Sequence, residues 1–452
     1  MRLAINQIVE AVGGTVSKPP GVNSFIENIS TDSRNIISGA LFVPIVGDNF
    51  DGHDFIASAI EKGAALVLSE PGKIPTDIDF PHIIVKNTRK ALLDLAGYYL
   101  KIISPKIIGI TGSAGKTTLK DMIAAILTKK FKTKKTIGNF NNDIGMPLSV
   151  FKLEDSDEVI VLEMGMNHAG EIAPLSRAAK PDIAVITNIG DAHIENFENR
   201  EGILHAKLEI IEGLKKTGCV FLNGDDPLLT GPIAGSKTSG LTVFYPSCKD
   251  IITSKPLGLL GTECHFNWSN TDVHVTVPLP GSHMVTNALL ATAVCLRLEC
   301  SPENITEGFK DFQTSAGRLN IINADGKTII SDVYNSSPDA LKSSLRVLSE
   351  QNGRKVAIIG DMLELGHMAV VRHKEAGEFV AELGIDVLIT SGELAKHIYE
   401  NFLSASKTGV AIHFETKADF IAMKDEVLQR GDTILIKASR GAKFEEITEC
   451  LI

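Results

Sequence analysis

The stretch Gly109-Ile-Thr-Gly-Ser-Ala-Gly-Lys-Thr-Thr118 constrains this chain more than any other. An apolar run (Ile107, Ile108, Ile110) precedes it, and Leu119, Met122, Ile123, Ile126 and Leu127 follow at helical spacing. The pattern reads as strand, glycine-rich turn, helix. Backbone N–H groups at such a turn wrap a phosphate, and the helix N-terminus adds partial positive charge. Gly112, Ser113, Ala114, Gly115 and Thr118 supply the cradle. Lys116 reaches the outer phosphates, and the Thr117 hydroxyl suits Mg²⁺. We therefore expect ATP or GTP binding. The spacing is unusual, because the early glycine sits at 112 while Ile110 occupies the customary position.

A chain of 452 residues suits two to four domains. Its net charge is −10 and it has no long basic block, which argues against nucleic acid as partner. No apolar run approaches the ~20 residues needed to span a bilayer. The first ten residues do not resemble a signal peptide. The six cysteines lack a C-x-x-C pair and read as reduced core thiols. A cytoplasmic, monomeric protein is expected.

Strand-like runs alternate with helical patterns, which predicts α/β layers with mainly parallel sheets. Residues 1–85 form one unit, with strands at Leu41–Val46 and Ala65–Leu68 and a helix at Phe55–Gly63. Residues 86–312 form a second, with strands Val159–Leu162, Ile183–Ile186 and Cys219–Leu222 ending in polar Glu163, Asn188 and Asn223. It continues through β-rich material at 240–280 into a helix at 283–298. Residues 313–452 form a third, resembling a nucleotide fold without a G-x-G-x-x-G fingerprint. Ligands in open α/β sheets bind beyond the carboxyl ends of the strands, so one edge gathers the candidates.

Glu163 at a strand end beside the phosphate loop is placed as a Mg²⁺ ligand or, equally, as a solvated acid closing the strand. His193 shares that edge and favours a metal or phosphate role. His168 either touches substrate or caps a helix. Arg318 is either a linker arginine or a cation that swings onto a γ-phosphate. Asp332 can bond ribose hydroxyls, and Asn335 either joins it or caps the next helix. Lys207, from spacing alone, reads as a surface lysine.

Together these stretches resemble the Mur ligase family. Thr111 to Thr118, Gly138-Asn-Phe-Asn-Asn-Asp-Ile-Gly-Met-Pro147, Glu163 to Glu171, Leu222 to Pro227, Gly317-Arg318, Asp332-Val-Tyr-Asn-Ser-Ser-Pro338, Gly360-Asp-Met-Leu-Glu-Leu-Gly366 and Lys437-Ala-Ser-Arg440 follow in the family's order. The Asn-Phe-Asn-Asn, Gly-Asp-Met-Leu-Glu-Leu-Gly and Lys-Ala-Ser-Arg stretches look like its D-alanyl-D-alanine-adding branch. The resemblance implies three domains: a UDP-sugar unit, a central ATP unit and a C-terminal Rossmann-like unit. It implies an ATP-dependent ligase joining a UDP-N-acetylmuramoyl-tripeptide to D-Ala-D-Ala through an acyl phosphate in peptidoglycan precursor synthesis. Two Mg²⁺ ions are implied, one at Thr117 and Glu163, one at His193 and a carbamylated Lys207. Lys116, Glu163, His193 and Lys207 would be catalytic, and Asn287, Arg318, Asp332 and Asn335 would contact ATP. Ser30, Asp32, Ser33 and Arg34, with Gly47, Asp51 and His53, look like the UDP-sugar loops; the residues alone read as turn clusters. Asn139, Asn142 and His168 are further substrate candidates. Met284 departs from the family, which usually has Asn there. Rival readings are the diamino-acid-adding branch, disfavoured because no Asp-Asn-Pro-Arg occurs near 390, a folylpolyglutamate synthetase, and a phosphate-loop switch without ligase chemistry.

Overall fold

In a computed structural model that describes residues 1–17, 25–47, 49–75 and 78–452, the phosphate loop follows a central strand of a six-stranded parallel sheet. The strand order is Thr242–Phe244, Cys219–Leu222, Ile183–Ile186, Lys106–Thr111, Val159–Glu163, Thr133–Lys135. Val159–Glu163 is buried along its whole length, as a strand covered by helices on both faces must be. The strand Lys106–Thr111 has Val159–Glu163 on one side and Ile183–Ile186 on the other. Successive crossovers therefore leave it in opposite directions, and a crevice opens at its carboxyl end.

The helix Lys116–Leu127 departs from that crevice and is buried on nearly all sides. It packs against Ser282–Arg297 and Pro302–Asp311. At the second crossing Gly308 is the enabling residue: a Cβ there would lie 2.4 Å from Ile126 Cα. A three-stranded antiparallel sheet (Ile251–Pro256, Thr262–Trp268, Thr271–Val277) covers this corner.

The C-terminal sheet is also six-stranded, in the order Asn320–Ala324, Lys327–Ser331, Thr433–Lys437, Lys355–Gly360, Val387–Ser391, Val410–Phe414. Its first pair is antiparallel and the rest are parallel. The N-terminal sheet runs Thr15–Val16, His82–Ile84, Leu66–Ser69, Leu41–Phe42, Ile29–Ser30.

Several expectations are corrected in detail. The strand expected over Leu41–Val46 ends at Phe42; Pro44 has no N–H for the ladder. The helix expected from Phe55 starts as a 3₁₀ turn at Gly52–Phe55 and becomes α-helical at Ile56–Glu61. Beside these corrections, the helix Thr88–Ile103 packs on Ile5–Val12 and on Ile172–Ala179. Of the cysteines, Cys219, Cys264, Cys295 and Cys300 are buried, but Cys248 and Cys450 are exposed at loop and helix ends. Among the described residues no helix is long and apolar enough to cross a membrane.

Gly308→Val would force the two helices apart, an overpacking cost of about 1–3 kcal/mol. A lower denaturant midpoint is expected, and an unchanged midpoint would refute the close crossing.

Candidate active site

The displaced glycine of the phosphate loop has a steric cause. Gly112 has φ +149°, and a Cβ there would sit 1.8 Å from Thr187 Oγ1. Gly115 has φ +80°, and a Cβ there would meet Asn287 Nδ2 at 2.9 Å. The neighbouring strand end braces the turn. Ser113 N–H donates to Asn188 O at 3.0 Å, and Ala114 N–H to Asn188 Oδ1 at 2.9 Å. Thr187 Oγ1 donates to Ala114 O at 2.6 Å. Lys116 Nζ donates to Gly112 O at 2.7 Å. Helix geometry leaves the first-turn amides at Lys116 and Thr117 without intrahelical acceptors.

Glu163 is buried at the end of its strand, which removes the reading of a solvated acid. Its Oε2 accepts from Thr117 Oγ1 at 2.8 Å, and its Oε1 from Asn141 Nδ2 at 2.9 Å. Buried Lys120 stands behind it, with Nζ 3.8 Å from Glu163 Oε2 and donating to Gly138 O at 3.1 Å. Asn141 and Lys120 had no role in the sequence reading. One of three asparagines in Asn139-Phe-Asn-Asn142 could have been suspected; which one reaches Glu163 depends on how the loop turns. Asn139 is exposed, and Asn142 is spent on the amides of Ile144 and Gly145.

The crevice is a cleft of about 600 Å³ between the middle and C-terminal units. Its lining includes Ser113, Ala114, Gly115, Lys116, Thr117, Thr118, Glu163, His193, Met284 and Asn287. Arg318, Asp332 and Asn335 join from the C-terminal side. Arg318 is thus no mere linker arginine; its guanidinium stacks 3.9 Å above the Tyr334 ring. Asp332 takes Lys437 Nζ at 2.5 Å and Ser344 Oγ at 2.6 Å. Burial alone would raise its carboxyl, but the Lys437 ammonium, with the Ser344 hydroxyl and the Arg318 charge, outweighs that and holds it below the usual range. Lys437 also donates to Asn335 O at 3.0 Å, so one buried cation shapes the whole Asp332–Asn335 turn.

Lys207 overturns its reading as a surface lysine, since it is 1% exposed. Burial pushes its ammonium well below the ordinary lysine value, and the nearby Lys116 charge pushes the same way. Among the described residues it has no ion-pair partner. Lys207 and Gly112 do not line the cleft itself. His193 does, and its Nδ1 lies 2.6 Å from Glu364 Oε2 of the C-terminal unit.

The Thr117–Glu163 oxygens are the hard donors Mg²⁺ prefers. Among the described residues no three His, Cys, Asp or Glu side chains converge into a cage. Mg²⁺ at phosphate sites commonly takes only one or two protein ligands and completes its shell with water and phosphate oxygens.

The first-domain candidates lie apart from this cleft. Asp32 holds Arg34 through Nε at 2.9 Å, which keeps its carboxyl at about 2, and Ser30 Oγ donates to Asp32 O at 3.0 Å. Ser33 O accepts from Lys62. Asp51 pairs with Lys73 at 2.7 Å and with His53 Nδ1 at 2.6 Å. His53 is buried, and its Nε2 accepts from Glu70 N–H. Gly47 N–H closes onto Phe50 O; Asp48, within this motif, falls outside the described residues. His168 is exposed, 3.1 Å from Glu171.

Three family models match along the chain: "Mur ligase family, catalytic domain" at residues 25–99, "Mur ligase middle domain" at 110–295 and "Mur ligase, glutamate ligase domain" at 317–440. A Bacillus subtilis protein named UDP-N-acetylmuramoyl-tripeptide–D-alanyl-D-alanine ligase is 39% identical over all of this chain and 99% of its own. This chain belongs to the Mur ligase family. Its relative of the same name from Escherichia coli is 33% identical over 99% of this chain and 98% of its own. The crystal structure of MurF from Acinetobacter baumannii superposes with a TM-score of 0.91 at 30% identity, covering 100% of this chain and 99% of that one. MurF ligase from Thermotoga maritima in complex with ADP gives 0.83 at 27% identity, covering 94% and 96%.

In this Mur ligase the helix Ser282–Arg297 opens toward the cleft with His283. Burial depresses its imidazole from 6.5 to about 4, with Lys437 and Arg346 opposing charge and Asp332 favouring it. A depressed histidine contributes stability above its unfolded value, and that contribution is lost as pH falls from about 6.5 toward 4. The melting temperature should therefore fall across that window, and His283→Gln should flatten the fall. Parallel curves for the two proteins would refute the neutral, half-buried ring.

Proposed function

We propose that the chain is an ATP-dependent ligase that joins a UDP-N-acetylmuramoyl-tripeptide to D-Ala-D-Ala in peptidoglycan precursor synthesis. The observation that carries this reading is the convergence of Lys116, Thr117, Glu163 and His193 with Arg318 and Asp332 in one cleft between two units. Relatives named for this reaction, matched end to end, support it.

A carboxylate is a poor electrophile, so it must be activated. A terminal carboxylate oxygen attacks the γ-phosphorus, the bond to the bridging oxygen breaks, and ADP leaves. The amine of the dipeptide then attacks the acyl carbon. The tetrahedral adduct expels orthophosphate, the nitrogen loses its proton, and an amide remains. Both reactants in the first step are anions, so positive charge must stand between them. Lys116 holds the β- and γ-phosphate oxygens, and Arg318, fixed on Tyr334, faces the same end. Asp332, locked by Lys437, aims at ribose hydroxyls. Asn287 beside Gly115 meets adenine, and Met284 contributes only apolar contact. Thr117 and Glu163 would hold one Mg²⁺, and His193 with Lys207 a second. Those ions would neutralise phosphate charge during transfer.

The depressed ammonium of Lys207 gives a reason for carbamylation. A neutral amine attacks the carbon of CO₂, the nitrogen releases a proton to solvent, and the resulting carbamate anion can ligate a cation. We assign the tripeptide nucleotide to a second cleft of about 1200 Å³ that shares Asn141, Gly165, Met166 and Asn167 with the first. Asn142 lines it, whereas Asn139, His168 and the Ser30–Arg34 and Gly47–His53 loops do not; their substrate roles, the UDP end for the two loops, rest on the family resemblance. ATP as co-substrate places the reaction in the cytoplasm, and we expect a monomer with domain limits near 85 and 312.

Orthophosphate release should require the tripeptide nucleotide and D-Ala-D-Ala together; release without the dipeptide would favour a phosphate-loop switch. Lys116→Ala should lower kcat at least a hundredfold while the melting temperature holds. Lys207→Ala should be similarly impaired and regain part of its activity with a short-chain carboxylate. Full activity without rescue would remove the carbamate.

A further inference from the structure

The segment 313–319 leads from the helix Pro302–Asp311 to the strand Asn320–Ala324 and delivers Arg318 to the cleft. It is tied on both sides. Toward the C-terminal unit, Asn320 Oδ1 accepts from Gly317 N–H at 2.5 Å and from Arg318 N–H at 3.3 Å. Tyr334 N–H donates to Gly317 O at 3.0 Å, and Leu319 N–H to Asp332 Oδ1 at 3.3 Å. Thr314 Oγ1 closes the turn by donating to Arg318 O at 2.8 Å. Leu319 is buried at φ +49°, a left-handed value that side chains with a Cβ rarely adopt. Such residues persist where the surroundings over-determine them.

The other tie runs to the helix that opens the phosphate site. Asp121 stands one turn after Thr117 on Lys116–Leu127 and is buried. Its Oδ2 accepts from Ser315 Oγ at 2.7 Å. Its Oδ1 accepts from Lys135 Nζ at 2.8 Å, and Lys120 Nζ lies 3.6 Å from the same oxygen. Two ammonium groups thus hold the carboxylate that receives the serine, and a hydroxyl bond to an ionised carboxylate is among the stronger kinds.

Arg318 lies three residues beyond that bond. Its guanidinium stacks on Tyr334, and its Nε is buried with no acceptor among the described residues. A buried N–H without an acceptor is costly, so this group suits an anion brought by a ligand. The charge also reaches the phosphate loop: burial lowers the Lys116 ammonium, Glu163 opposes the fall and Arg318 adds to it.

We propose that Ser315 and Asp121 are positioning residues for the phosphoryl-transfer step. Their bond pins the segment to the phosphate-loop helix, so that Lys116 and Arg318, which stand on different units, keep a fixed separation. This rests on the reading of Arg318 as a phosphate contact.

The test follows orthophosphate release by the full chain, with radiolabelled ATP so that slow variants stay measurable. Ser315→Ala should lower kcat about tenfold or more, since a misplacement of about 1 Å suffices for such a loss. Ser315→Thr, which keeps the hydroxyl, should recover most of it. Arg318→Ala checks the parent reading and completes a double-mutant cycle. If the serine acts through the arginine, Ser315→Ala should cost nothing further once residue 318 is alanine. Losses that multiply would mark a merely structural anchor and overturn the positioning role, as would full activity of Ser315→Ala alone. If Arg318→Ala is itself fully active, the phosphate reading of Arg318 falls and takes the positioning role with it.

Discussion

The bond from the Thr117 hydroxyl to the Glu163 carboxylate joins the two elements on which the cleft depends. One opens the helix after the phosphate loop, and the other ends the neighbouring parallel strand. Parallel pairing of Lys106–Thr111 with Val159–Glu163 sets the strand ends level, and the loop then curls over the acid. A buried carboxylate is costly unless satisfied. Thr117, Asn141 and the ammonium of Lys120 meet that requirement here. The same oxygens that stabilise the fold are the ones a divalent cation would take, so the site is pre-shaped by the demands of burial.

Around this centre the molecule uses fixed cations as local scaffolding. Lys437 ties Asp332 to the Asn335 turn, and Arg318 lies flat on Tyr334. These contacts keep charged groups of the C-terminal unit turned toward the cleft. Asp191 receives one arginine from its own unit and one from the other, which puts a charged contact across the junction between them. Polar junctions of this kind suit domains that must part and rejoin during turnover.

Much of this was legible in the sequence because strand, turn and helix leave local marks. The run Val159–Leu162 and the loop at Gly109–Thr118 each declare their structure within a dozen residues. Chemistry that depends on sidedness did not. Lys207 is flanked by apolar residues at helical spacing, yet spacing cannot say which face the rest of the protein covers. Asn141 is distinguished from Asn139 and Asn142 only by the path of a loop. Glu364 and Lys437 act across distances of a hundred residues or more, where periodicity is silent. The role proposed for Lys207 comes from family resemblance, and its burial gives that proposal a physical reason.

The offset glycine at 112 has a consequence for how such a loop can change over time. Its α-carbon is pressed against a threonine of an adjacent strand, so the two positions form a lock with a single key. A side chain at 112 would need both a backbone that L residues rarely adopt and the space now filled by the Thr187 hydroxyl, so while Thr187 stands the position takes glycine alone. Searches tuned to the commoner spacing would pass over such a chain, although its fold is of the same general kind.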